Sequence, residues 1–150
     1  MSRIGSRLAW VVSCVALAEV TGSAQGELER SAIQVTLHAP ASAAFEQTMA
    51  AFVRAGLVAV DGNAAAGTIT SLPVERHQGI FLLELVYRAS VVPTGDSAAL
   101  VVLSGTYVAR DAAGRLTPEE RPITSHPHGP VAHAQAWGII EQIAEALQAK

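Results

Sequence analysis

Two stretches dominate the sequence: IFLLELVYRASVV at residues 80–92 and AALVVLSGTYVAR at residues 98–110. In each of them every second residue is apolar or small over most of the length, which is typical of β-strands. The segment PTGD at residues 93–96 has the residue types of a reverse turn. The sequence therefore predicts a long antiparallel hairpin at the centre of the fold.

One face of this hairpin is apolar enough to belong to a hydrophobic core. It carries Phe81, Leu83, Leu85, Tyr87, Ala89 and Val91 on the first strand and Ala99, Val101, Leu103, Gly105, Tyr107 and Ala109 on the second. Large side chains pack well opposite small ones across a strand pair. We therefore predict a register that places Leu85 opposite Gly105.

The second face of the hairpin is mixed. Polar residues alternate there with an apolar set that we call the interaction face: Ile80, Leu82, Val86, Leu100 and Val102. Soluble proteins rarely expose large apolar patches, so we expect this face to be covered. Three covers are open at this point: the connector at residues 111–129, a protein partner or a second copy of the chain, and a small apolar ligand.

Shorter elements complete the predicted fold. Residues 31–38 alternate like a half-buried strand, residues 40–56 have apolar residues at helical spacing, and residues 57–60 and 67–72 read as two small strands. A final helix is predicted from residue 130 to about residue 149. This order predicts an α+β two-layer sandwich, with an antiparallel sheet of about four to five strands and two helices packed on one face.

The first 24 residues have the order of an export signal. Arginines at positions 3 and 7 precede the apolar block LAWVVSCVALA at residues 8–18, and small residues stand before two alternative cleavage points, after Ala18 and after Ala24. We favour the second. The predicted organisation is a signal peptide at residues 1–24 and one α+β domain at residues 25–150, which places the protein in the periplasm or outer envelope.

Cys14 is the only cysteine of the chain. It ends the sequence VVSC at residues 11–14, which roughly matches the bacterial lipobox, so Cys14 is a candidate for lipidation. Cleavage after Ala24 would leave a domain without cysteine, which excludes disulfides and thiolate catalysis. No apolar run approaches the roughly 20 residues of a membrane-spanning helix. We therefore expect membrane contact only through the signal or a lipid anchor.

Charge and motifs exclude several classes of function. The 10 Lys and Arg residues are outnumbered by 13 Asp and Glu residues, and the net charge is −3 with no basic stripe, which excludes nucleic-acid binding. No G-x-S-x-G elbow and no phosphate-binding loop is found. Because no nucleophile stands beside a base, we expect a protein that is not an enzyme and has no cofactor.

Three histidines form the one compact cluster of candidate metal ligands. His126, His128 and His133 fall within HPHGPVAH at residues 126–133. Neutral imidazoles at such spacing could share a Zn or Cu ion, with a carboxylate or water completing the shell. The alternative function is thus a metal-binding protein or a metal-dependent hydrolase. The plainer interpretation is a stiff, proline-rich loop with exposed histidines.

The outline of the chain resembles small bacterial envelope proteins and lipoproteins of unassigned role. The resemblance rests on a strand, a helix ending in AGL at residues 55–57, the segment GTIT at residues 67–70, and a final helix that contains Trp137. It implies a role in envelope binding or assembly. We therefore predict an exported, non-enzymatic envelope domain that binds a protein partner or a small apolar ligand through its sheet.

Overall fold

The computed structural model describes residues 30–149 apart from residues 59, 112, 116–118 and 126–130. This part of the chain contains two helices and seven strands. Their order is β1 (Ala32–Leu37), α1 (Ala41–Arg54), β2 (Val60–Asn63), β3 (Thr68–Ser71), β4 (Val74–Gln78), β5 (Phe81–Gly95), β6 (Ala98–Arg110), β7 (Arg121–Pro122) and α2 (Val131–Gln148). All strand pairs are antiparallel and belong to one sheet.

The predicted central hairpin is formed by β5 and β6, but its register differs from the prediction. Leu85 lies opposite Tyr107, so the predicted register is wrong by two residues. The strands extend to Gly95 and Ala98, which places the turn further along the chain than the PTGD segment suggests. Because side chains alternate with a period of two, a shift of two residues leaves every side chain on its predicted face.

Each outer edge of the central hairpin is covered by two short strands placed end to end. β3 and β4 lie along β5, β1 and β7 lie along β6, and β2 extends the sheet beyond β3. Where β3 gives way to β4, the backbone N–H of Tyr87 donates to the Ser71 hydroxyl at 2.9 Å. Where β7 gives way to β1, the N–H of Arg30 donates to the Ser125 hydroxyl at 2.9 Å. A serine thus satisfies a backbone donor at each joint.

The sheet has more strands than the four or five predicted, because β4 and β7 are absent from the sequence prediction. β4 reads VERHQ, and its outward-facing polar residues give no apolar alternation. Gly79 has a positive φ of 59° and forms the tight turn between Gln78 and Phe81. Ile80 therefore lies in this turn and not in β5, which corrects its predicted place on the sheet.

Both helices pack on one face of the sheet, which confirms the predicted α+β two-layer sandwich. The core lies between the layers and includes Phe52 of α1, Ile140 and Ile143 of α2, and the alternate residues of β5 and β6 on the predicted core face. α1 ends where Gly56 adopts a φ of 81°, a conformation that glycine reaches without strain. Neither described helix is long and apolar enough to cross a bilayer.

Candidate aromatic ligand site

The helix layer is shorter than the hairpin beneath it. The 13 residues of β6 span about 43 Å, while the 18 residues of α2 span about 27 Å. We call the end of the hairpin next to residues 96–97 the turn end, and the end at Phe81 and Arg110 the open end. α1 starts beside Val91 near the turn end, whereas only the first turn of α2 reaches the open end.

A pocket of about 200 Å³ lies at the open end, on the helix side of the sheet. We call it the aromatic pocket. Its walls are Gln78, Phe81, Leu83, Tyr107, Ala109, Arg121 and His133. These residues come from the four strands β4, β5, β6 and β7 and from the helix α2. The pocket therefore exists only in the folded chain.

Three rings form the apolar walls of the aromatic pocket. Tyr107 and His133 lie with ring centroids 4.7 Å apart and planes tilted by 53°, a favourable geometry for an aromatic pair. Phe81 is 42% exposed although it stands on the core side of β5. Tyr107 and His133 are half-buried. The exposed part of the Phe81 ring thus belongs to the apolar lining of the pocket.

Two polar side chains form the rim of the pocket. Gln78 of β4 lies opposite Phe81, and Arg121 of β7 lies opposite Tyr107, so the register fixes both on the helix side. The Arg121 guanidinium is 3.6 Å from the Glu119 carboxylate, and both side chains are mostly exposed. A few oriented polar groups around apolar walls are typical of small-molecule sites.

A buried tyrosine lies on the same face of β5, deeper in the core. Tyr87 is 2% exposed, and burial raises its pKa to about 12, against the opposing effect of the Arg76 charge. Desolvation disfavours the phenolate, so Tyr87 is a neutral phenol in the folded protein near neutral pH. Arg76 of β4 lies opposite the buried Leu83, so the pairing register places its positive charge on the helix side of the sheet.

A larger hollow of about 440 Å³ lies elsewhere, between the start of α1 and the β2–β3 loop. Its walls are mainly alanines, glycine and main chain, with Phe45 as the single aromatic side chain and Glu46 as the single charged one. It offers no pair of rings and no set of converging polar groups. The aromatic pocket is smaller but has the more specific chemistry.

The predicted histidine cluster is only partly within the described residues. His133 lies in the first turn of α2 against Tyr107, while His126 and His128 lie outside the described residues. Among the residues that the structure does describe, no group of three His, Cys, Asp or Glu side chains could hold a metal ion. The shared Zn or Cu site stays a prediction, and His133 is placed as part of an aromatic wall.

The predicted interaction face lies on the opposite side of the sheet from the helices. Leu82, Val86, Leu100 and Val102 are half-buried there, while Ile80 is 73% exposed in its turn. These residues do not form an uninterrupted apolar patch, because two ion pairs lie among them. Residues that line the aromatic pocket and residues of the interaction face therefore belong to two separate surfaces.

The ion pairs of the interaction face connect the sheet to the connector. The Arg110 guanidinium donates to Glu84 at 2.9 Å, and the Arg88 guanidinium donates to Glu120 at 3.0 Å. The Thr106 hydroxyl also donates to Glu120, and these hydrogen bonds, with the Arg88 charge, lower the pKa of the Glu120 carboxyl. Glu120 thus holds one described part of the connector against this face. The connector is one of the three covers that the sequence leaves open for it.

The export signal at residues 1–24 and the lipidation candidate Cys14 lie outside the described residues. Export, lipidation and the resemblance to envelope proteins therefore stay predictions.

Several residues of the aromatic pocket were not identifiable as site residues from the sequence. Phe81 and Tyr107 have the alternation of core residues, and Gln78 and Arg121 lie on the two strands that the prediction lacks. The sequence did contain one signal. A strand of about 13 residues spans more ångströms than any of the helices that the sequence predicts to cover it, because a strand rises about 3.3 Å per residue and a helix only about 1.5 Å. An uncovered end of the core face follows from that mismatch.

Comparison with family models and with curated proteins finds no match for this chain. Among solved structures it is similar to the di-domain ARO/CYC BexL from the BE-7585A biosynthetic pathway, an aromatase/cyclase. The TM-score is 0.48 and the sequences are 13% identical, over 80% of this chain and 46% of that chain. The matched part of the chain thus spans slightly less than half the length of that protein.

This comparison corrects one prediction. The sequence predicts a protein that is not an enzyme, whereas this structural neighbour is an enzyme of a biosynthetic pathway. The expectation of a non-enzymatic protein is therefore wrong as stated, and we withdraw it.

Proposed function

We propose that the protein binds a small molecule with a flat apolar ring in the aromatic pocket. The observation that carries this proposal is the Tyr107–His133 ring pair, together with the partly exposed ring of Phe81, which lines the same pocket. Flat rings gain both area burial and edge-to-face contact from such walls. This retains the small apolar ligand of the sequence analysis and places it on the helix side of the sheet.

The size of the pocket limits the ligand. Its volume of about 200 Å³ is below the roughly 300–1,000 Å³ of sites for drug-sized molecules. A ligand of one ring and a short substituent fits this space. A molecule of about eight non-hydrogen atoms then binds with a dissociation constant on the order of 1 mM.

The ligand site can be tested with two neighbouring substitutions. Benzyl alcohol is titrated into the 150-residue chain while backbone amide resonances are recorded. We expect shifts concentrated at Gln78, Phe81, Tyr107 and His133. Phe81→Ala should weaken binding about five-fold by removing one ring wall. Ile80→Ala is the matched control, because Ile80 is more exposed than its neighbour and does not line the pocket.

The proposal fails if benzyl alcohol causes no localised shifts up to about 10 mM, a tenfold excess over the expected dissociation constant. It also fails if Phe81→Ala and Ile80→Ala change the affinity equally. Cyclohexylmethanol, which lacks a flat ring, should bind more weakly than benzyl alcohol.

We also propose that the protein acts outside the cytoplasm. The proposal is supported by the order of arginines, apolar block and small residues at residues 1–24. Mass spectrometry of the protein from its native cells tests it. A chain that starts at Glu19 or Gln25, or at a lipid-modified Cys14, would support export, and a chain that retains residues 1–24 would contradict it.

A further inference from the structure

We propose that the ligand of the aromatic pocket is an aromatic anion, a single ring carrying a carboxylate, and that Arg121 recognises the carboxylate. This inference rests on the proposed function and goes beyond it by naming the charge of the ligand. Its basis is the distribution of charged side chains around the open end of the hairpin.

The helix side of the open end has an excess of positive charge. Arg121 is opposite Tyr107, and Arg76 is opposite the buried Leu83, so the register places both arginines on the helix side. The effect of Arg76 on the pKa of buried Tyr87 agrees with this placement. Of these two arginines, Arg121 forms an ion pair with a described acid, Glu119. The nearby Glu84–Arg110 pair lies on the other face of the sheet and is internally neutral.

The contact between Arg121 and Glu119 is well suited to exchange. The two groups are 3.6 Å apart, and their side chains are 62% and 75% exposed. An ion pair of this length and exposure contributes little to stability, so giving it up costs the fold little. A ligand carboxylate held by the ring walls can instead form two parallel hydrogen bonds with the guanidinium. Glu119 then occupies the anion position only while the pocket is empty.

The ring and the charge can be tested separately with two probes of similar size. Benzoate and benzyl alcohol are titrated into the 150-residue chain at low salt, with amide resonances as the readout. We expect benzoate to bind about five-fold more tightly than benzyl alcohol. Because Arg121 is exposed, this difference in affinity should shrink at about 0.5 M salt, where screening limits the attraction between charges to a few ångströms.

Two variants and two matched controls assign the effect to the proposed residues. Arg121→Gln should weaken benzoate binding about five-fold and leave benzyl alcohol binding unchanged. Arg54→Gln, at the end of α1 and outside the pocket, is its control. Glu119→Gln removes the competing carboxylate and should tighten benzoate binding about two-fold, whereas Glu145→Gln, an exposed change on α2, should have no effect.

The outcomes separate the two proposals. If neither probe causes shifts at the aromatic pocket, the proposed function is wrong. If both bind there with equal affinity, or if Arg121→Gln and Arg54→Gln weaken benzoate equally, the ring site stands and the assignment of an anionic ligand is wrong. If benzoate is preferred and the preference disappears in Arg121→Gln alone, both are supported. The amide spectrum of each variant shows whether it is folded.

Discussion

The turn end and the open end of the central hairpin present the same face of the same two strands to the helix layer, yet they differ in composition and exposure. At the turn end, Val91, Ala99 and Val101 are small and almost completely buried. At the open end, Phe81 and Tyr107 are large, aromatic and partly accessible. The difference follows from the cover above them, because α1 and most of α2 lie away from the open end.

This comparison shows that alternating apolar residues identify which face of a strand they belong to, but not how deeply each residue on that face is buried. Small residues at the turn end allow the helices to approach the sheet closely, and their burial contributes to stability. At the open end the strands extend beyond most of the helix layer, and the large rings there form the walls of a pocket. The same strand face is thus fully covered at the turn end and partly exposed at its last residues at the open end.

The largest expected difference is in the free energy of unfolding when a phenylalanine is replaced by alanine, once in the helix layer and once at the open end. Phe52→Ala removes a fully buried ring from the helix layer and should lower the free energy of unfolding by about 3–5 kcal/mol. Phe81→Ala removes a ring that is 42% exposed and should lower it by only about 1–2 kcal/mol. Urea denaturation of both variants measures this, and equal losses would show that the open end is as structural as the helix layer.

Gly105 gives the next largest effect, at the boundary between the two ends. An added Cβ would lie 2.7 Å from the Ile123 Cδ1 atom and 3.2 Å from the Val86 carbonyl oxygen. Gly105→Ala should therefore cost about 1–3 kcal/mol in unfolding free energy through overpacking. Gly95→Ala, where no atom lies within 4 Å, is the control and should cost less than about 1 kcal/mol.

A double variant sharpens this second prediction. Ile123→Val removes the methyl group that the new Cβ would meet first, so the Gly105→Ala/Ile123→Val protein should be more stable than the two separate losses predict. If the losses simply add in denaturation measurements, the close contact with Ile123 is not the cause.

The smallest effect near neutral pH comes from Tyr87. Its folded pKa of about 12 lies above the ordinary value of 10, so the folded state binds the phenol proton more tightly than the unfolded state does. This contribution to stability is complete below pH 10 and decreases as the pH rises from about 10 to 12. When the pH is raised from 9 to about 11.5, the free energy of unfolding should therefore decrease less in the Tyr87→Phe variant than in the unsubstituted protein. Identical losses in urea denaturation would contradict the assignment.

The fold was largely predictable from the sequence, and the exceptions have physical causes. Alternation identified the central hairpin and both of its faces, and helical spacing identified α1 and α2. The register was not predictable from alternation, because a shift of two residues preserves both faces. It depends instead on the position of the turn, where the pairing shifts between Pro93 and Gly95. β4 was missed because an edge strand with exposed charged residues has no apolar pattern.

The candidate site was less predictable than the fold. His133 was singled out for its neighbours in sequence, His126 and His128, whereas its described contact is Tyr107, a residue 26 positions away. Arg121 and Gln78 gain their positions only through the pairing of β7 and β4 with the hairpin. Such contacts depend on long-range pairing, which local patterns do not encode. Residue types alone offered a metal site as one alternative, and the described geometry adds the Tyr107 ring beside His133.

The divided edges of the sheet have a further consequence for the behaviour of the protein at high concentration. Two strands of 15 and 13 apolar-rich residues would be templates for fibril growth if their edges were free. Among the described strands, those on the outside of the sheet have no more than six residues, and the outermost side chains of β4 include two charges. A foreign strand could therefore add only a short ladder of hydrogen bonds, which limits edge-to-edge aggregation.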